Sequence, residues 1–384
     1  MGYRFKTAGQ AFFGEDALEM AGPVLGSMGK KALIVTGKIV TKSGMTAVLT
    51  DELDKQGVKY SIFSDLPGEP DDLMVKAGAA LYEKEGCDFI IGLGGGTPLD
   101  SAKAIGMYVT NHEDFIDLVG KNAAGDFPPL AAIPTTAGTG SEVTKFICLT
   151  DSASDTKILL GGDDLIPDLA IINPAFTLSA PGSVTAATGM DALTHAVESY
   201  TSRKGNPVTD LYAEDAIKKI FTYLPAAYKD GSDKEARSQM AIAAYEAGVC
   251  INNASVTLVH GMSRPIGALF HVPHGISNAM LIGECLTFAL EGCPDRFAAL
   301  ARLIGKADES ADDKKAAKIF IDAIKELADT LDIPTLEGYG IDREAFFEKM
   351  PKMAKDAITS GSPANTIRPV SEQDVLDIYA KLWQ

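Results

Sequence analysis

Hydrophobic and polar positions alternate in short blocks over the first half of the chain. Near-continuous apolar runs bounded by polar or glycine residues predict buried strands at 31–36, 59–64, 88–93 and 129–134. Segments with amphipathic spacing predict helices at 42–56, 70–85 and 102–108. Apolar strands that alternate with helices are typical of a parallel sheet covered on both faces. The first half is therefore predicted to be a doubly wound α/β domain.

The pattern changes near Pro181 and Gly182, after which strand signals nearly vanish. Helix starts are predicted at four polar residues, each of which precedes an amphipathic run: Ser183, Asn206, Ser232 and Ser371. A chain of 384 residues is long enough for two domains. We expect an α/β domain over residues 1–182, followed by an all-α domain over 183–384.

Charge and cysteine content limit the classes of partner. The net charge of −17 argues against nucleic acid and anionic membrane surfaces, which attract basic patches. No apolar stretch reaches 18 residues and no signal peptide is recognised, so we expect no membrane segment. Five cysteines without a CxxC pair indicate reduced thiols and a cytoplasmic location.

A glycine run follows the third predicted strand and opens a helix. Gly94, Gly95 and Gly96 would let a phosphate approach the backbone, and a helix N-terminus offers free N–H groups. Thr97 stands where the standard dinucleotide fingerprint has its last glycine. The run therefore predicts either a pyrophosphate site or only a tight strand-to-helix turn.

Four of the five histidines fall within 195–274. Asp191 and His195 are four residues apart in a helical pattern, so they share one helix face. His260 and His274 could approach them from consecutive elements. One carboxylate and three imidazoles suit Fe²⁺ or Zn²⁺ and do not suit Ca²⁺ or Mg²⁺. The alternative is four ordinary helix histidines, but their clustering with Asp191 favours a metal.

Six ordered motifs together resemble the iron-containing (group III) alcohol dehydrogenase family. They are GGGTPLDSAKAIG (94–106), PTTAGTGSEVT (134–144), the run from Lys157 through PDLAIINP (167–174), TGMDALTHAVESY (188–200), the segment 260–275, and NTIRPVSEQDVLDIY (365–379). The resemblance covers nearly the whole chain. It implies a dehydroquinate synthase-like fold, with an N-terminal dinucleotide-binding domain and a helical C-terminal domain. It further implies NAD(H) or NADP(H), one divalent metal with Fe²⁺ favoured over Zn²⁺, and a homodimer or larger homo-oligomer formed through an N-terminal strand near 3–13.

The resemblance also implies roles for individual residues. The metal ligands would be Asp191, His195, His260 and His274. The cofactor would contact Gly94, Gly95, Gly96, Thr97, Asp100, Thr135, Thr136, Thr139 and Thr144, with Lys157 near the nicotinamide end.

Gly37 departs from many NAD-preferring relatives, which carry an aspartate at the end of this strand. A carboxylate there would hold the ribose 2′-OH and repel a 2′-phosphate. Gly37 removes that repulsion, and Lys38 or Lys42 could attract the phosphate. We therefore expect NADPH to be accepted, with NADH also open; alternatively, Gly37 only turns the chain.

Two further departures lie near the predicted ligands. Arg264 stands where several relatives have another histidine, and it could clamp a carboxylate or sulfonate on the substrate. A structural salt bridge is the alternative. His271 could relay protons from the substrate oxygen to solvent, or it could cap or pack a helix.

The predicted function is a metal-dependent alcohol dehydrogenase or aldehyde reductase acting on a small primary alcohol, diol or aldehyde. An ion with an open coordination position acts as a Lewis acid for the substrate oxygen, and the nicotinamide exchanges hydride with the adjacent carbon. Three alternatives stay open: a reductase of anionic aldehydes that uses Arg264, a dehydroquinate synthase-like lyase, and a non-enzymatic nucleotide-binding protein.

Overall fold

The computed structural model of the chain describes residues 2–66, 68–153 and 156–383. The protein forms two compact units, Lys6–Ala180 and Pro181–Gln384, and Met1–Phe5 belongs with the second. Among the helices described, none is both long and apolar enough to cross a membrane.

The first unit contains one parallel sheet. Its strands and those of a separate antiparallel pair are β1 (Gln10–Phe13), β2 (Lys31–Thr36), β3 (Lys59–Phe63), β4 (Phe89–Gly94), β5 (Leu130–Pro134), β6 (Phe146–Asp151), β7 (Thr156–Gly161) and β8 (Leu169–Ile172). The six-stranded sheet has the order β1-β8-β5-β4-β2-β3, and every pairing in it is parallel. β6 and β7 pair with each other.

Helices cover both faces of this sheet. They are α1 (Ala17–Met28), α2 (Lys38–Lys42), α3 (Met45–Lys55), α4 (Asp72–Glu85) and α5 (Gly96–Asn111). Along β2, Leu33 and Val35 pack into one core with α4 and α5, while Ala32 and Ile34 pack into another with α1 and α3. Alternate residues of a strand point to opposite faces, so both faces are buried and the predicted doubly wound α/β architecture is confirmed.

Two sequence predictions in this unit need correction, and one hairpin was missed. The helix expected over 42–56 is divided into α2 and α3, because Gly44 adopts φ 87° between them. The helix expected from 102 begins at Gly96, since the glycine run itself forms its first turn. The β6–β7 hairpin was not predicted, although 146–149 and 158–160 are continuous apolar runs.

Among its described residues the second unit consists of helices and the loops that connect them, without a strand. Its helices are α6 (Gly182–Tyr200), α7 (Pro207–Lys229), α8 (Lys234–Ala254), α9 (Leu258–Phe270), α10 (His274–Ala289), α11 (Pro294–Leu303), α12 (Asp313–Thr330), α13 (Leu336–Tyr339), α14 (Arg343–Thr359) and α15 (Glu372–Lys381). The prediction of an all-α second half is confirmed.

Two of the four predicted helix starts in this unit are confirmed. Asn206 and Ser371 each form a reciprocal capping box with the residue three positions later. The predicted start at Ser183 is wrong, because α6 already begins at Gly182 after Pro181. Ser232 was also wrong, because the Asp233 carboxylate accepts the Ala236 N–H and caps α8 instead.

Candidate functional site

The predicted metal ligands meet at one point in the second unit. Asp191 and His195 lie one turn apart on α6, His260 lies in the first turn of α9, and His274 is the first residue of α10. One donor atom from each side chain lies within 4.8 Å of all the others. The Nε2 atoms of the three histidines each lie 3.7 Å from Asp191 Oδ1. The structure thus brings together residues spread over more than eighty positions.

This spacing fits a first-row divalent cation. Tetrahedral donors about 2.1 Å from an ion are separated by about 3.4 Å. The observed 3.7 Å separations are slightly wider and correspond to donors about 2.3 Å from a central ion. A nitrogen-rich set with one carboxylate is also the donor chemistry of Fe²⁺ and Zn²⁺.

A glycine allows α10 to approach α6 closely enough to form this cluster. A Cβ on Gly275 would lie 2.5 Å from the Ala187 carbonyl oxygen, well inside contact distance. Any side chain there would push the start of α10, and His274 with it, away from the ligands on α6. Gly275 is therefore required by the packing that positions His274.

Glu198 orients the His260 ring. Its Oε2 lies 2.6 Å from His260 Nδ1, and its Oε1 accepts hydrogen bonds from Thr257 Oγ1 at 2.8 Å and Val259 N at 2.6 Å. Although Glu198 is fully buried, the charge and hydrogen bond of His260 hold its pKa below the usual value. An ionised carboxylate only accepts, so Nδ1 carries a proton, and in the neutral ring the Nε2 lone pair faces Asp191.

The electrostatics of the cluster favour ionised Asp191. Burial opposes ionisation, but the charge of His195 and the hydrogen bond with His260 outweigh it and hold the pKa of Asp191 well below its usual range. Burial also lowers the pKa of His274 to about 3, so that its ring is neutral at ordinary pH. A carboxylate and a neutral imidazole are the protonation states in which these side chains bind a metal.

Asn278, one turn after His274 on α10, reaches into the cluster. Its Nδ2 lies 2.7 Å from Asp191 Oδ1, 3.1 Å from His260 Nε2 and 3.2 Å from His274 Nε2. Its Oδ1 is buried and has no hydrogen-bond partner in the described part of the chain. An N–H₂ group with partial positive charge therefore lies where the electron pairs of the predicted ligands converge.

The first unit contains the predicted phosphate loop. Gly94 ends β4 with φ 154°, and a Cβ there would lie 2.5 Å from Pro98 Cγ, so the turn into α5 requires glycine. Gly95 precedes α5, and Gly96 and Thr97 are its first residues. This arrangement presents the N-terminus of a sixteen-residue helix beside a backbone without side chains, as a pyrophosphate requires.

The threonines of segment 135–139 border this loop. Thr135 N donates to Gly94 O at 2.9 Å. A Cβ on Gly95 would lie 3.4 Å from Thr136 Oγ1, and a Cβ on Gly96 would lie 3.2 Å from Thr139 Cγ2, so both threonine side chains lie over the glycine backbone. Among the described residues, the buried Thr136 Oγ1 has no hydrogen-bond partner, so it is available to bond to a ligand at the loop.

Asp100 and Thr144 lie behind the loop and bond to the protein itself. Asp100 accepts from Ser141 Oγ at 2.6 Å and from Cys148 N at 2.9 Å. Thr144 Oγ1 accepts from the Lys103 ammonium at 3.3 Å. These contacts support a positioning role for Asp100 and Thr144 in place of the direct cofactor contact that the resemblance implied.

Of the remaining predicted site residues, Lys157 lies on β7, Arg264 lies in α9 and His271 follows the end of α9. Lys157 on β7 forms an ion pair with Glu69 at 2.6 Å. Arg264 Nη1 donates to Ser362 Oγ at 2.9 Å, and the arginine charge contributes to lowering the pKa of His274. His271 is exposed at the C-cap of α9 with φ 55°, which supports its capping alternative.

Gly37 follows β2 directly, and its carbonyl oxygen accepts from Thr41 N at 3.0 Å as α2 begins. A Cβ at Gly37 would meet no atom within 4 Å. Lys38 forms an ion pair at 2.8 Å with Asp65, which follows the neighbouring strand β3. The sequence prediction had not foreseen this nearby carboxylate.

Sequence reasoning missed Glu198, Asn278 and Lys103. A usable signal existed for two of them, because Glu198 lies three residues after His195 and Asn278 lies four after His274, and both spacings place side chains on one helix face. Lys103 carried no such signal, since its acceptors lie about forty residues away along the chain.

Comparison with known proteins identifies relatives along nearly the whole chain. The family described as iron-containing alcohol dehydrogenase matches residues 8–174, and its C-terminal domain matches residues 185–383. The 1,3-propanediol dehydrogenase of Citrobacter freundii is 36% identical over 379 residues, which is 97% of this chain and 96% of the relative. The NAD-dependent methanol dehydrogenase of Bacillus methanolicus is 36% identical over 371 residues, covering 95% and 96%. A crystal structure of 1,3-propanediol oxidoreductase superposes with a TM-score of 0.96 at 35% identity, covering all of both chains.

Proposed function

This chain belongs to the iron-containing alcohol dehydrogenase family, and we propose that it interconverts a small primary alcohol or diol and its aldehyde with NAD(H) or NADP(H). The observation that carries the proposal is the convergence of Asp191, His195, His260 and His274. Because the family is one of alcohol dehydrogenases, the lyase and the non-enzymatic alternatives are set aside.

We assign the four convergent side chains as ligands of one divalent cation, with Fe²⁺ favoured and Zn²⁺ as the alternative. Bound there, the cation supplies a Lewis acid for the substrate oxygen. Asp191 contributes the charge, and neutral His274 contributes a lone pair. Glu198 keeps His260 Nε2 directed at the centre. The burial of Asp191, His195 and His260 limits the access of bulk water.

We assign the phosphate loop to the pyrophosphate of the nicotinamide cofactor, which supplies or accepts the hydride. The N–H groups at the start of α5 would donate to its oxygens, and Thr136 Oγ1 supplies a further donor. Asp100 and Thr144 would hold the neighbouring segment in place, while Lys157 stays a proposed contact near the nicotinamide end. The name of the methanol dehydrogenase relative supports use of NAD, and the absence of a carboxylate at Gly37 supports acceptance of NADP(H) as well.

The substrate proposal is a short primary alcohol or diol, which the names of the propanediol and methanol dehydrogenases support. An anionic aldehyde is the second candidate. It is favoured by Arg264, whose charge acts on the ligand His274. His271 stays a proposed proton relay, although its exposed helix-capping position gives that role less support.

We also propose a cytoplasmic homodimer. Strand β1 is the first in the sheet order and pairs with β8 on one side, so a second copy could pair along its other edge. The five free cysteines support a reducing compartment. Light scattering during size-exclusion chromatography measures the assembly, and a monomer at micromolar concentration would contradict it.

The function is tested on anaerobic Fe²⁺-loaded protein with a panel of neutral and anionic aldehydes and both reduced cofactors. We expect oxidation of the cofactor with short aldehydes, and a large loss of both metal and turnover in Asp191→Ala and His260→Ala. His112→Ala is the control, because His112 lies in the first unit and pairs with Glu83. Full turnover by metal-free protein would refute the proposal.

A further inference from the structure

Asn278 contributes to the metal cluster in a way that the four assigned ligands do not explain. The residue is fully buried, and its side chain shares a face of α10 with His274. Its Nδ2 has two hydrogens and lies within 3.2 Å of Asp191 Oδ1, His260 Nε2 and His274 Nε2, of which each imidazole nitrogen accepts only when it carries no proton. The amide is thus directed at the centre of the cluster and not at its edge.

The opposite end of the same amide lacks a partner. Asn278 Oδ1 is buried and accepts no hydrogen bond from any residue that the structure describes, so it is available to a ligand. Half a turn about the terminal side-chain bond exchanges the nitrogen and the oxygen and leaves the rest of the residue in place. A cation among the ligands would repel the N–H₂ group and attract the oxygen, so its binding favours that turn.

The distances from the Asn278 amide to three of the proposed ligand atoms are those of neighbouring donors around an ion with more than four ligands. Donors at right angles about 2.1 Å from an ion lie about 3.0 Å apart. The Asn278 amide lies 2.7, 3.1 and 3.2 Å from the donor atoms of Asp191, His260 and His274.

We propose that Asn278 Oδ1 is a fifth protein ligand of the cation, and that it favours Fe²⁺ over Zn²⁺. This inference rests on the metal centre proposed above. Zn²⁺ usually binds four donors in tetrahedral geometry. A fifth protein oxygen, with space left for substrate, suits an ion that accepts six ligands. In metal-free protein the same amide donates to Asp191 and holds the ligands together.

The test uses full-length protein with Asn278→Leu, which has similar volume and no oxygen, and Asn278→Asp, which retains an oxygen donor. Asn253→Leu is the control, because the Asn253 amide donates to Val249 O within its own helix α8. Dissociation constants for Fe²⁺ and Zn²⁺ are measured by competition with a chelator. The visible spectrum of Co²⁺-loaded protein reports the coordination number, since four-coordinate Co²⁺ absorbs much more strongly than five- or six-coordinate Co²⁺.

We expect Asn278→Leu to weaken Fe²⁺ binding at least about tenfold and Zn²⁺ binding less, and to strengthen the Co²⁺ bands. Asn278→Asp should retain Fe²⁺ affinity and the weak bands of the native chain. Unchanged metal affinities and an unchanged Co²⁺ spectrum in Asn278→Leu would overturn the inference. Loss of Fe²⁺ binding in Asn278→Asp would also overturn it. If Asn278→Leu does not fold, the Asn278→Asp result alone decides. Failure of the native chain to bind any of these ions would overturn the proposed metal centre itself.

Discussion

Glu198 acts on the proposed centre through a single proton at His260. The fixed N–H of Val259 and the hydroxyl of Thr257 both donate to one carboxylate oxygen, which leaves the other to accept from His260 Nδ1. In Glu198→Gln, the amide oxygen is expected to face Val259, so that the N–H₂ group faces the ring. Nδ1 must then accept, and the ring proton moves to Nε2, the atom that faces Asp191.

We therefore predict that Glu198→Gln stays folded but loses affinity for Fe²⁺ or Zn²⁺ by about ten- to a hundredfold. Chelator competition measures the constant, and circular dichroism verifies the fold. Glu246→Gln is the matched control, because Glu246 is another buried glutamate that pairs with Lys219 on the neighbouring helices α7 and α8. Equal metal affinity in the two variants would contradict the proposed orientation of His260.

Gly37, at the end of β2, is the residue predicted to influence the preference for NADPH over NADH. We predict that Gly37→Asp lowers kcat/KM with NADPH by about tenfold or more and changes the NADH value less, because a carboxylate there repels a 2′-phosphate and bonds to a 2′-hydroxyl. There is open space for the side chain. Steady-state kinetics with both cofactors measure the ratio.

Asp65 tests the same prediction from the neighbouring strand. Its carboxylate currently pairs with the Lys38 ammonium, so Asp65→Asn should free Lys38 to attract the 2′-phosphate and raise the preference for NADPH. A cofactor ratio unchanged in both variants would mean that the adenosine ribose does not bind at this end of β2.

At the scale of elements, Lys103 joins α5 to the segment that enters β6. Its ammonium donates to Thr144 O at 2.7 Å and to Phe146 O at 3.1 Å. Burial lowers the pKa of Lys103 to about 8, although the charges of Asp100 and Glu142 oppose the shift. The helix that begins at the phosphate loop is thereby fixed to the segment bearing the bordering threonines.

The depressed pKa of Lys103 makes this connection dependent on pH. Between pH 8 and 10.5 the unfolded chain binds a proton at Lys103 that the folded chain has released. The contribution of Lys103 to the free energy of unfolding therefore increases as pH rises through that window. We predict that the native chain becomes progressively more stable relative to Lys103→Met between these pH values, as measured by urea unfolding. A constant difference would contradict the depressed pKa.

At the scale of the whole molecule, the two proposed ligands bind to different units. We predict that Fe²⁺ or Zn²⁺ slows amide hydrogen exchange in α6, α9 and α10, whereas NAD(H) slows it in segment 94–103. Stabilisation by a ligand at one hundred times its dissociation constant is about 2.7 kcal/mol, enough to be seen in exchange rates. Hydrogen-exchange mass spectrometry measures both effects, and protection of segment 94–103 by the metal alone would contradict the assignment.

The sequence by itself determined the features that depend on local chemistry and short spacing. Near-continuous apolar runs specify the parallel strands β2, β3, β4 and β5, and the i, i+4 spacing places Asp191 beside His195 whatever the rest of the chain does. Asn206 and Ser371 cap their helices through residues only three positions away. The identity of the ligand types followed from their chemistry alone.

Only the tertiary structure decided how distant segments meet. The approach of α10 to α6 at Gly275 brings His274 to Asp191, and no local pattern encodes that distance. The same is true of Glu198 beside Thr257 and Val259, of Asn278 among three ligands, and of Lys38 opposite Asp65. The physical reason is that burial and packing across elements set these contacts, whereas sequence spacing constrains only neighbours within one element.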